Sequence, residues 1–142
     1  MLFRSSQPVT PASPAAALAR WWASFLPECA PQLVTGKTPG AAATAHLLNL
    51  LAARQIHSAQ DTQRFESALA TLAQRALDER GEADTWTDIA PIGLLHRAAQ
   101  RAGVTLGNAS LPVRSRAIAR PEGAIARLGP DGPWHQIWPP LP

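Results

Sequence analysis

The apolar residues of this chain change their spacing once, near Gly103, and that change limits what the chain can fold into. Before it, they recur at helical spacing. Leu18, Trp21, Trp22 and Phe25 stand at i, i+3, i+4 and i+7, and a stripe through Phe65, Leu69, Leu72, Ala76 and Leu77 runs for three turns. After it, LPVRSRAIAR, AIARL and PWHQIW read as period-two segments, separated by PEG and GPDG, which have turn chemistry. Helices first and strands afterwards point to an α+β fold, predominantly α.

The helical part divides at its caps and breakers. Ser13 followed by Pro14 is a cap with proline at the first helical position, and the helix they start should stop before Pro27. The stretch PECAPQLVTGKTPG reads as a connector, and Gly40 opens a second helix of about Ala41 to Ile56, apolar over much of its circumference and therefore expected at the centre. Ser58 with Asp61 three residues on resembles a capping box, and Gly81 ends the third helix, with Leu69 and Leu72 expected inside. GEADTWTD reads as a polar loop. Thr87 or Asp88 then caps a fourth helix with Pro91 in its first turn, Ile89, Ile92, Leu95 and Ala99 on its inner face, and Gly103 as its stop.

The expectation is thus a four-helix N-terminal body over 13–103 and a short antiparallel hairpin or three-stranded meander over 111–138. A Pro-rich end over 139–142 completes a single domain of 13–142, and residues 1–12 read as an arm, flexible or docked. In the β part, AIAR occurs at 117–120 and 124–127, and a turn over Arg120 to Gly123 sets Ile118 opposite Ile125 and Arg116 opposite Arg127. One face is then all alanine, flat enough to lie on a helix, and the other mixes isoleucine with arginine. The closing GPDGPWHQIWPPLP holds two of the five tryptophans and is expected to dock on its own chain, burying at least one of Trp134 and Trp138.

Composition bounds the chemistry. A chain of 142 residues is long enough for one core, and its one cysteine, Cys29, excludes an internal disulfide framework and favours a reducing, cytoplasmic setting. No signal-length or membrane-length apolar run is present, so neither export by a cleaved signal nor a membrane partner is expected. TGKT at 35–38 resembles the end of a phosphate loop, but the position of that motif's first glycine is Pro31, which has no amide hydrogen, so no nucleotide cofactor is expected. The histidines, His46, His57, His96 and His135, lack metal-ligand spacing, and no cofactor or metal is expected. Nothing pairs a nucleophile with a base, and no residue is singled out as catalytic.

The charges are unevenly placed. Residues 1–90 carry seven basic and eight acidic side chains, whereas 91–142 carry six arginines against Glu122 and Asp131. Arg97 and Arg101 are four apart on the expected fourth helix, and Arg114, Arg116, Arg120 and Arg127 follow in the β part. A basic helix followed by a basic hairpin fits DNA or RNA, because arginine neutralises phosphates. A solvated polar face explains the same residues without a partner. The alternative function is an adaptor or assembly subunit docking on another protein through its Trp-rich and Pro-rich ends, with Trp22, Trp134 and Trp138 as anchors.

Overall fold

The computed structural model describes residues 11–28, 57–107 and 110–141. The expected helix over 41–56, most of the arm, TGKT, Cys29 and His46 lie outside the described residues. Helix α1 is Pro14–Ala23, capped by the Ser13 hydroxyl, which accepts from the Ala16 amide at 3.1 Å. Ser24 interrupts it by donating its hydroxyl to the Trp21 carbonyl, and one further helical turn, α2, covers Phe25–Glu28. Helix α3 is Ala59–Arg80, with Ser58 accepting from the Asp61 amide at its start and Gly81 in the left-handed conformation at its end. These are the caps expected from the sequence. Leu69 and Leu72 lie inside, also as expected. Helix α4 is Leu94–Ala102, closed by left-handed Gly103.

The four-helix body with a two- or three-stranded appendage is not what forms. Among the described residues there are three helices longer than one turn and a four-stranded antiparallel sheet of β1 Ala83–Trp86, β2 Arg116–Arg120, β3 Gly123–Arg127 and β4 His135–Trp138, in that order. The extra strand, β1, is the segment that reads as a polar loop. Its charges conceal an alternation: Ala83, Thr85 and Thr87 are buried, while Asp84 and Trp86 point away. Both threonines enter the core because their hydroxyls are satisfied. Trp22 Nε1 donates to Thr85 Oγ1 at 2.7 Å and that hydroxyl donates on to the Ala117 carbonyl at 2.7 Å. Thr87 Oγ1 donates to the Pro112 carbonyl at 2.6 Å and accepts from the Ser115 amide at 3.1 Å.

The start expected for the fourth helix is displaced for the same reason. Thr87 bridges to Pro91, and Gly93 turns with φ +59° before Leu94, so the helix begins about one and a half turns late. Ile89 and Ile92, expected on its inner face, are exposed, while Leu95 and Ala99 are buried as expected.

The hairpin takes the register read from its sequence, with Ile118 opposite Ile125 and Arg116 opposite Arg127. Its alanine face, Ala117, Ala119, Ala124 and Ala126, is wholly buried and forms one core with Leu18 and Trp22 of α1 and Phe65 and Leu69 of α3. Alanine is what permits this: a side chain no longer than one carbon leaves the helix backbone close to the sheet, and the Trp22 ring fills the remaining space. The tail pairs with β3 as β4, and a bulge between Ala124 and Ile125 inserts one residue. Strict alternation would put Trp134 and Trp138 on one face, and the bulge separates them. Trp138 pairs with Ala124 and packs against the core, partly buried, while Trp134 lies on the other side under Arg127. Gly123 has no room for a side chain here, since a Cβ would stand 2.9 Å from the Trp138 carbonyl oxygen.

Two measurements check this packing. Leu72→Ala, in the α3 stripe, is expected to lower stability by about 2–5 kcal/mol in denaturant titration. Deletion of 133–142 uncovers the β3 edge and is expected to lower the melting temperature and raise binding of a hydrophobic dye. A deletion that melts with the parent would show that β4 adds nothing to the core.

Candidate functional site

Because the alanines all face the helices, every large or charged side chain of β1 to β3 is driven to the opposite face of the sheet. Alternation places Asp84 and Trp86 of β1 there, beside Arg116, Ile118 and Arg120 of β2 and Ile125 and Arg127 of β3. Trp86, Ile125 and nearby Trp134 are about two-fifths exposed, whereas Ile118 is buried among its neighbours.

The arginines of this face fall into two kinds. Arg116 makes a two-pronged bond to Asp84, Nε to Oδ1 at 2.9 Å and Nη2 to Oδ2 at 2.5 Å. That bond raises the Arg116 pKa above the ordinary arginine value, against a smaller opposing effect of burial. The raised folded-state pKa means its stabilisation is complete below the ordinary arginine value and is lost only above it, so it is constant across neutral pH. Arg120 donates to Glu82 at 2.9 Å, and Arg114 lies 3.7 Å from Asp88. Arg114 also has a left-handed backbone, φ +51°, held by its amide donating to the Asp88 carbonyl at 2.9 Å. Arg127 is of the second kind. Its guanidinium lies 4.9 Å from the centre of the Trp134 ring, it has no carboxylate partner among the described residues, and its Nε is sealed from solvent with no hydrogen-bond acceptor.

Two hollows meet at β1. One, of about 370 Å³, opens on the sheet face between Trp86, Arg114, Arg116, Arg127 and Pro130. The other, of about 530 Å³, runs along the β1 edge between α3 and α4, with Arg75, Arg80 and Arg97 in its lining. Asp84 and Trp86 line both. Six arginines and three carboxylates, Glu79, Glu82 and Asp84, line the pair, an excess of three positive charges and equal to the formal net charge of the whole chain. Arg75, Arg80 and Arg97 have no carboxylate within ion-pair distance among the described residues.

The structure therefore brings Arg114, Arg116 and Arg127 into one hollow and Arg97 into the next. Arg120 lies at the far end of β2 with Glu82, and Arg101 lines a separate groove beside Gln63 and Arg64. Trp22, an expected partner anchor, is completely buried and presents nothing to a partner; the half-exposed neighbour is Trp21, edge-on to Phe25 with ring centres 5.0 Å apart. Sequence reading missed Trp86, Arg75 and Arg80. The alternation A-D-T-W-T carried the signal for Trp86, while the two α3 arginines are marked only by the packing of α4 beside them. Among the described residues no cluster of three metal-ligating side chains occurs, and no helix is long and apolar enough to cross a membrane. No family model matches the chain, and no curated protein is significantly similar to it in sequence.

The Asp84–Arg116 pair is partly exposed, so its coupling in a double-mutant cycle with alanine at both positions is expected to be about 0.5–1 kcal/mol. Added salt should reduce that coupling. A coupling of zero would assign the pair no role in holding β1 on β2.

Proposed function

We propose that the protein is a small, non-catalytic nucleic-acid-binding accessory protein, whose binding surface is the pair of arginine-lined hollows on either side of Trp86. The observation that carries this reading is the convergence of Arg75, Arg80, Arg97 and Arg127, none of them in an ion pair among the described residues, around one exposed aromatic ring. Unpaired guanidinium groups can neutralise phosphates at no cost in broken ion pairs, and that neutralisation supplies most non-specific affinity. Arg114, Arg116 and Arg120 would be weaker contributors, since a carboxylate already opposes each of them.

Fluorescence anisotropy with labelled DNA and RNA oligonucleotides at low salt tests the reading. Binding is expected, with log K falling linearly in log salt. Replacing Arg97 and Arg127 together by alanine should flatten that slope by roughly 1.4–1.8 units, and Arg101→Ala, on the separate groove, should leave it nearly unchanged. Absence of binding to any DNA or RNA at low salt would overturn the reading in favour of a protein adaptor that docks through Trp134 and Trp138.

A further inference from the structure

Trp86 stands at the end of an edge strand with part of its indole open to the sheet-face hollow. Two-fifths of its surface is exposed, and among the described residues neither another ring nor a guanidinium is stacked on it, although Arg116 stands opposite it across the ladder. Trp134, by contrast, is covered by Arg127. An indole with no ring or cation stacked on it, at the rim of a cleft, offers a flat surface of the kind on which unpaired bases stack. Resting on the nucleic-acid reading above, we infer that the occupant is a single strand, with one base seated on Trp86 in the sheet cleft and the flanking phosphates in the two hollows.

Three observations favour a single strand over a duplex. The first is the path. The hollows join at Asp84 and Trp86, one opening on the sheet face and the other along the β1 edge, so a backbone in contact with both must bend around the edge strand. A flexible strand does so freely, whereas a duplex resists bending over so short a length. The second is the division of the basic residues. A duplex reader presents a protruding helix or ribbon to a groove, but here Arg97 and Arg101 of α4 line different surface hollows, and Arg120 is held by Glu82. No single protruding element carries the charge. The third is Arg127. Its buried Nε lacks an acceptor, and its guanidinium, fixed on the Trp134 ring, lines the cleft that Trp86 walls. A base edge or phosphate oxygen entering beside Trp86 would meet a guanidinium that lines the same cleft and has no carboxylate partner among the described residues, so positive charge and a stacking surface stand in one place.

The test uses the full chain, a labelled strand of about 12 nucleotides and the same sequence as a blunt duplex. The single strand is expected to bind at least about tenfold more tightly than the duplex and to quench intrinsic tryptophan fluorescence. Trp86→Ala should weaken single-strand binding by about 5- to 150-fold without changing the salt slope, and Trp86→Phe should retain most of the affinity, because a phenyl ring still stacks. Arg127→Ala should flatten the slope by about 0.7 units. Melting curves of the variants establish that they are folded, and for an exposed ring they should match the parent. Equal binding of duplex and single strand, with Trp86→Ala unaltered, would overturn the single-strand inference and leave the nucleic-acid reading standing. Failure of both probes to bind at low salt would remove both together.

Discussion

The architecture depends on the close approach of α1 to a sheet whose inner face is alanine. Trp22 is the largest side chain in that contact, and it is fastened: its indole N–H donates to Thr85, whose hydroxyl donates to the Ala117 carbonyl. One chain of two short hydrogen bonds links α1, β1 and β2 through the middle of the core, where an unsatisfied indole or hydroxyl would cost about 1–3 kcal/mol. It also explains why β1 forms from a polar segment. Without the Trp22 donor and the Ala117 acceptor, Thr85 would be a poor core residue.

A sheet that reserves one face for alanine must carry all its bulk and charge on the other. Arginine, aspartate, isoleucine and tryptophan crowd that face because alternation leaves them nowhere else. The three acids on or beside β1, Glu82, Asp84 and Asp88, each meet an arginine on or just before β2, so part of the basic surface is consumed in pairing the strands. The surface left over is therefore narrower than the charge count suggests. What distinguishes Arg127 from Arg116 is position alone: β1 brings an acid to the second, and among the described residues no element brings one to the first.

Much of this was legible before the fold was known, and the divisions are instructive. Caps and stripes gave α3 to its terminal residues, because Ser58 and Gly81 act through their own backbone geometry and need no tertiary help. The β2–β3 register followed from alternation across a two-residue turn at Pro121 and Glu122. Other features depended on partners distant in sequence. Thr85 and Thr87 look like loop residues until Trp22, Pro112 and Ser115 satisfy them, and the late start of α4 follows from the same strand. The β4 bulge puts Trp134 and Trp138 on opposite faces by inserting one residue, a change that period-two reading cannot detect. At the site, the concentration of arginine in the last third was plain, but its division into paired and unpaired groups required the acids of β1 to be in place.

The same dependence ties the site to the core. Ser115, wholly buried, donates its amide to Thr87 and its hydroxyl to the Val113 carbonyl, and it accepts from the Gly129 amide at 3.0 Å. It thereby joins the end of β1, the segment entering β2 and the turn after β3, which carry Trp86, Arg114 and Arg127. None of these three side chains belongs to the hydrophobic core. Their relative placement is set by a buried hydroxyl network one layer below, and Arg114 is held in a left-handed conformation, at a cost of about 1 kcal/mol, by the segment that network fixes. A surface with its floor fixed in this way is arranged before any ligand arrives. On the nucleic-acid reading proposed above, a ligand would meet a floor already in place and would have chiefly the unpaired arginines of α3 and α4 left to order.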